Sequence, residues 1–481
     1  MICNGTLRAC LAATTIALFG TAGAMADDGF SLADIPEIKN KEPIHVALEA
    51  GGAADLIIPY LQKFAEATGV PVTSESMVFA TIYSKEVVEL QGRTGAYDVV
   101  VTETSWTNEW RDYLFPIYEL AESYDPDGRD GIRKVLDGID PGLLRMASTR
   151  DGTLMGMPYY TYTMVSIYRD DLFNDPGEKA AFKDKYGYDL APAETWEQLR
   201  DQGEFFTRAK GEMLRGEPLE DNFYGLSLMA GRFPHVQDEL AAMIWSKGAN
   251  WASPVRDDDG KLIGFTIDDG DREALKWAFE TYQDYMQFAP PGSENAFWDF
   301  ATAQFVGGNT AIIPLMYNGL WNWASTVKDE VPGAMAAAAP VVGNRPYTGA
   351  FHFAPSKDSG NPEAAYWLLK YIGSHATQKE MIEGGWAGTH AKVLGEPDKT
   401  VETNYSAYGW IPPTLAQWEK QLPDVNDYLH FNSSAFGKIY EQMTIIGHEN
   451  ATKVTTPEES LKAWEESFDR LQKKFGELPV Q

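Results

Sequence analysis

Tyr317 and Trp321 stand four residues apart just past a short apolar run. Two large flat faces beside the backbone amides of a helix start suit the binding of a small polar molecule that also has apolar faces. They close the stretch 305–323, in which a Gly307-Gly308-Asn309 turn leads into the apolar run 311–316 and a Tyr317-Asn318-Gly319 turn leads out of it. The stretch holds no obvious catalytic group. Elsewhere there is no Gly-x-Ser-x-Gly, Walker A loop, Cys-x-x-Cys or His-Glu-x-x-His, and the seven histidines never fall four apart. Glu194 and Glu197 sit at a helix start and read as complements to its dipole rather than as an acid–base pair. Residues 125–130 resemble a calcium loop only superficially, because Arg129 takes the fifth position and Leu136 the twelfth. Binding without catalysis is the reading, with no catalytic residue, no metal and no cofactor.

Short apolar runs between turn signals read as buried strands of a layered α/β fold, whose ligands collect at the carboxyl ends of the strands. A strand over 44–48 ends in a loop with Glu49, Gly51 and Gly52, and a helix follows with Ile57, Ile58, Leu61 and Phe64 on one face, stopped by Gly69. Strands over 70–75 and 97–101 come next, the second running into Glu103, Ser105 and Trp106. A hairpin over 151–158 leads into 159–168, a run too long for one strand of a compact sheet unless it serves two lobes in succession. Helices are expected over 196–209 and 271–286, with a hairpin turning at Asp259-Gly260 between them. Phe297 and Trp298 read as part of a helix face. A strand over 349–357 precedes a helix that Asn361 caps and Pro362 opens, and Thr456 caps the last helix.

Residues 1–26 read as a signal peptide, with Arg8 in the basic region, an apolar stretch over 11–19 and Ala24-Met25-Ala26 as the cleavage site. Cys3 and Cys10 leave with it and Cys10 lacks a convincing lipobox, so export proceeds without a disulfide or a lipid anchor. No stretch is long and apolar enough to span a bilayer. The formal net charge of −30 argues against nucleic acid as a partner and against an anionic membrane surface. It reads first as a solvated acidic surface.

Taken in order, several segments resemble the carbohydrate-type solute-binding proteins of bacterial ABC importers, the family that includes maltose-binding protein. They are Phe64-Ala-Glu-Ala-Thr-Gly-Val-Pro-Val72, Tyr97-Asp-Val-Val-Val101, Ser166-Ile-Tyr-Arg-Asp-Asp-Leu172, Glu194-Thr-Trp-Glu-Gln-Leu199, the stretch 305–323 and Gly349-Ala-Phe-His-Phe-Ala-Pro-Ser-Lys357. The resemblance implies an α/β, two-lobed periplasmic binding protein fold of type II, clam-like, with three hinge crossings. These fall near 160–162, 345–348 and 422–427. One lobe is then 27–161 plus 348–421, and the other 162–347 plus 422–481.

By position in that pattern, Trp321 is the stacking tryptophan of the second lobe with Tyr317 beside it. Glu49, Gly51, Glu103, Ser105 and Trp106 approach from loops of the first lobe, with Tyr160, Tyr162 and Gly349 at the crossings. Arg232, Phe233 and His235 supply further contacts. Trp386 stands where many relatives carry a Pro-x-Arg element, which this chain lacks. The implied function is capture of a sugar, oligosaccharide or polyol in the periplasm by a monomer, with delivery to a membrane permease. An amine or quaternary ammonium held by Glu49 or Glu103 and an aromatic cage is a second binding reading. An envelope glycoside-active enzyme, which would need two facing carboxylates, is the alternative of a different class.

Overall fold

The computed structural model describes residues 28–50, 52–395 and 408–481. The expected signal peptide, both cysteines and Gly51 lie outside these. In chain order the strands of the two larger sheets are β1 (Ile44–Glu49), β2 (Val72–Met77), β3 (Val99–Glu103), β4 (Met157–Thr161), β5 (Met164–Arg169), β6 (Tyr224–Leu226), β7 (Thr310–Tyr317), β8 (Ala336–Ala339) and β9 (Ala350–Pro355). The first sheet has the order β2-β1-β3-β9-β4 and the second β8-β5-β7-β6. In the first, β1 runs parallel to β2 and β3, while β9 is antiparallel to its neighbours β3 and β4. In the second, β5 is antiparallel to both β7 and β8.

Residue type explains this order. β3 is buried along its whole length, as a Val-Val-Val strand covered on both faces must be, whereas the polar β2 lies at a sheet edge and is buried only at Met77. β7 is buried over all eight residues even though Pro314 lies in it. Its ladder with β5 shifts register between Ile313 and Met316, which accommodates the proline's missing N–H. Helices on both sheets begin as their caps dictate. The Asn361 side chain accepts from Ala364 N ahead of Pro362–Gly373, Asp268 forms a capping box for Asp269–Tyr285, and Thr456 with Glu459 forms another for Pro457–Phe475.

The overlong run 159–168 breaks into β4 and β5, one in each sheet, with only Tyr162 and Thr163 between them. The chain returns from β8 to β9 across residues 340–349. These two crossings are hydrogen-bonded to each other, Tyr162 N to Gly349 O at 3.1 Å and Met164 N to Tyr347 O at 2.9 Å. Helix Ile411–Gln421 lies over both. Gln417 donates to Met164 O and accepts from Val341 N, Trp418 Nε1 donates to Thr163 Oγ1 at 2.8 Å, and Gln421 donates to Pro346 O at 2.6 Å. The expected hairpin over 151–158 is reduced to a turn with one bridge, Ser148 to Leu154, because the chain leaves it directly into the sheet. No helix among the described residues is long and apolar enough to cross a membrane.

The C-terminal tail joins the two halves of the molecule. Phe265 N donates to Pro479 O and Gln481 N donates to Phe265 O, which fixes the tail to the hairpin of strands Ser253–Arg256 and Leu262–Thr266. From there Glu477 accepts from Arg111 and, at 3.1 Å, from Arg150. Arg111 opens the short 3-10 helix Arg111–Tyr113 that follows β3, and Arg150 lies in the turn that precedes β4.

Candidate functional site

The register places Glu49 and Glu103 at the carboxyl ends of β1 and β3, on the same edge of the first sheet as the end of β4. Tyr317 ends β7 opposite Met164, the first residue of β5. Strand ends of both sheets therefore meet at the crossings, the location that open α/β sheets give to ligands.

Two acid-centred groups form there. Glu103 is buried and accepts from Ser105 N at 2.8 Å, from the Ser105 hydroxyl and from the Tyr162 hydroxyl. The Glu103-Thr104-Ser105 turn that makes these bonds leads directly into the short helix Thr107–Trp110. Across the seam, Asp238 accepts from the Tyr317 hydroxyl, the Gln237 amide and, at 3.0 Å, the Tyr440 hydroxyl. Gln237 Oε1 in turn takes a bond from His430 Nε2 at 3.2 Å. Burial raises the pKa of Glu103, and it pushes Asp238 well above the ordinary aspartate range. Burial also lowers His235 and His430 to about 3, so both rings are neutral. The donors around these acids are hydroxyls and amides. No lysine or arginine bonds to either acid among the described residues.

Aromatic rings join the two groups. Tyr162 meets Tyr317 edge-on at 5.9 Å and stacks on Tyr347, which stacks on Trp245 at 5.7 Å. Gly349 is the reason Tyr162 can lie there, since a Cβ at 349 would come within 2.2 Å of the tyrosine ring. We expect Gly349→Ala to lower the unfolding free energy by about 1–3 kcal/mol by forcing that ring aside. Thermal unfolding checks it, and a wild-type transition would show that the ring has room.

The other sequence-predicted residues take these places. Glu49 is half-buried, has no hydrogen-bond partner among the described residues, and is pushed up to about 7 by burial. Trp106 is buried in a cluster with Phe79, Tyr83 and Trp110. Tyr160 stacks on Phe351 and meets Trp386 edge-on at 5.0 Å, and its hydroxyl lies where a Cβ on Gly319 would be. Trp386 is buried and donates from Nε1 to Tyr159 O at 2.7 Å. Arg232 and Phe233 are exposed beyond the seam. Trp321 has no solvent exposure and opens the helix Trp321–Ala324, packed on Trp298–Val306. The structure thus brings Glu103, Ser105, Tyr162, Tyr317 and Gly349 into one group, and Tyr160 and Trp386 into a second. It sets Arg232 and Phe233 apart from both, while Glu49 lies near enough to the second group for its charge to raise the pKa of Tyr160 beyond what burial does.

Asp238, Gln237, Tyr440, Tyr347 and His430 were not anticipated. One signal was available. Gln237-Asp238-Glu239 interrupts an otherwise apolar helix, His235–Ser246, and polar groups on a buried helix need partners. Among the described residues no three His, Cys, Asp or Glu side chains come together to hold a metal.

A family model described as bacterial extracellular solute-binding protein matches residues 48–379. Several solved structures share the architecture. One is a solute-binding protein of an ABC transporter from Agrobacterium radiobacter K84 in complex with ribitol, with a TM-score of 0.68, 18% identity, and coverage of 90% of this chain and 99% of that one. Maltose-bound MalE3 of T. maritima gives 0.66 at 17% identity, over 90% of this chain and all of the other. A solute-binding protein from Agrobacterium vitis S4 with bound D-mannitol gives 0.62 at 17% identity, over 91% and 100%. At such identities the likeness is one of fold, a two-lobed α/β architecture.

Proposed function

The chain belongs to the bacterial extracellular solute-binding protein family, and from that premise we propose that it captures a sugar, oligosaccharide or polyol between its lobes and delivers it to the membrane permease of an ABC importer. The observation that carries this reading is the meeting of strand ends from both sheets at Glu103–Tyr162 and Tyr317–Asp238. Hydroxyl-bearing rings and acceptor carboxylates are what a polyhydroxylated ligand needs, with faces to cover its C–H surfaces and acceptors for its hydroxyls. The solved structures that share the fold were obtained with ribitol, maltose and D-mannitol, which supports the same class.

In this reading one lobe comprises 27–161 and 348–421, and the other 162–347 and 422–481. The third crossing falls at 422–427, after the helix that already spans the first two. Closure about these crossings brings Glu49, the Trp106 loop, Tyr160 and Trp386 toward Tyr317 and Trp321. Discrimination follows from burial, since each hydroxyl left unpaired costs about 1–3 kcal/mol. Family membership implies a periplasmic or extracellular location. The signal peptide at 1–26 makes the periplasm the proposed site of action, with the protein working as a monomer and without a disulfide.

Buried acids without a basic partner favour one second reading, in which an amine or quaternary ammonium sits among the tyrosines. A thermal-shift screen of the mature chain against sugars, polyols and amines decides. A true ligand at about 100 times its dissociation constant adds about 2.7 kcal/mol. A response to an amine with none to any carbohydrate overturns the proposal, and turnover of a glycoside would overturn both binding readings.

A further inference from the structure

One buried acid comes from each side of the seam. Glu103 ends β3 of the first sheet, while Asp238 lies on the helix His235–Ser246 and bonds to Tyr317 of the second. Each is only 3% exposed. Their hydroxyl partners touch, since Tyr162 on Glu103 meets Tyr317 on Asp238 edge-on at 5.9 Å. The charges act across the seam as well. Beyond the effect of burial, Glu103 raises the pKa of Asp238, and both Glu103 and Asp238 raise that of Tyr162. No described group bonded to Asp238 carries a positive charge. Its own helix adds Glu239 and the neutral His235. Of the elements packed on that helix, Phe436–Ala451 contributes Tyr440 and Asp269–Tyr285 contributes Tyr282, which bonds to Glu239. The turn Val342–Asn344 holds nothing that titrates. Tyr347 and the neutral His430 complete the surround.

We propose that closure of the lobes takes up a proton at the Glu103–Asp238 pair, so that the closed, ligand-holding form gains as the pH falls and gives way as it rises. The proposal rests on the hinge-closing, carbohydrate-binding reading above and adds its regulation. With the lobes apart, both acids face the water between them and ionise in the ordinary carboxylate range. Brought together without a cation and away from water, two like charges repel, and a proton kept on one relieves the repulsion. Tyrosine hydroxyls accept as readily as they donate, so a proton on Asp238 finds a bond at Tyr317 or Tyr440 and leaves no group unpaired. An acid whose pKa is higher closed than open favours the closed form at low pH, and that preference is lost as the pH climbs through the closed-state value. The neighbours do not supply the same dependence. His235 and His430, lowered to about 3, stay neutral above pH 5. Glu239 bonds to Tyr282 and Met229 on its own side of the seam, so opening leaves its surroundings unchanged. A cationic ligand would act in the opposite sense, because it needs both acids ionised.

The test is energy transfer between dyes on Glu66→Cys and Asp184→Cys in the full mature chain, which has no cysteine after residue 26. Both positions are exposed, one on the helix Gly52–Thr68 of the first lobe and one on Pro176–Tyr186 of the second. Transfer is followed from pH 5 to 8.5, alone and with each sugar and polyol of the screen above, beginning with maltose, ribitol and D-mannitol. Without sugar, the closed-to-open ratio should grow as the pH falls, by up to about ten-fold per pH unit for one proton. Asp238→Asn and Glu103→Gln keep the size and neutralise one acid from each side. Each should lose at least half of that change, while Glu239→Gln should keep it, and thermal unfolding verifies that all three fold. A ratio independent of pH in a protein that still closes on a sugar overturns the proton linkage and leaves the carbohydrate reading intact. Closure that grows with rising pH, or a dependence unchanged in both acid variants, overturns the linkage too. A pH response with no response to any sugar keeps the linkage and overturns the carbohydrate reading. No response to either overturns both.

Discussion

Trp321→Ala lowers the unfolding free energy by about 3–5 kcal/mol, the range for removing a large aromatic from a packed interior. The side chain has no exposure and sits where Trp321–Ala324 packs on Trp298–Val306, so its removal leaves a cavity that two short helices can close only by shifting. A role as stacking tryptophan alone would cost binding and leave the fold intact. Burial makes stability the first quantity to move. Chemical denaturation measures it, and a midpoint within error of wild type would sink the prediction. Trp321→Phe separates the two roles. It keeps most of the apolar volume and removes the broad indole face, so a variant that is stable but binds carbohydrate at least ten-fold more weakly identifies a ligand contact.

Glu239→Gln removes a large part of the pH dependence of stability. Glu239 is fully buried in His235–Ser246, accepts from the Tyr282 hydroxyl and from Met229 N at 3.1 Å, and is pushed up to about 8 by burial. An acid whose pKa is higher folded than unfolded holds its proton more tightly in the native state. Its contribution is therefore fully present below about pH 4.5 and declines as the pH climbs to about 8. At about 1.4 kcal/mol per pH unit the decline amounts to roughly 4–5 kcal/mol. The neutral amide has no such slope. Asp125, held down by Lys370 and Tyr366, and Asp171, held down by Arg169, act in the opposite sense and lose stability in acid. The wild-type curve alone therefore does not isolate Glu239. The difference between variant and wild type from pH 4.5 to 8 does, and parallel curves over that window would refute the assignment.

What the sequence revealed was what short segments decide for themselves. β3 follows from an unbroken Val-Val-Val run, though it ends two residues later than expected, at Glu103. The helices after Asn361 and Thr456 follow from caps that act over three residues. The passage between sheets at Tyr162–Thr163 was legible because 159–168 is longer than one strand needs. The Asp238 group was not legible, because Asp238, Tyr317, His430 and Tyr440 come from four segments that meet only in the folded chain. Nor was the burial of Trp321, which depends on a helix whose docking no local pattern announces.

One consequence of the sheet order concerns synthesis. β9 is inserted between β3 and β4, so the first sheet joins strands near residue 100 to one that emerges some 250 residues later. Until residues 350–355 have left the ribosome, β3 and β4 present open edges and the first lobe has no complete core. Pairings so distant in sequence fold slowly. For a chain proposed to cross a membrane unfolded, that delay is useful. It keeps the polypeptide threadable until it is released on the far side, and it leaves those edges needing protection from aggregation in the meantime.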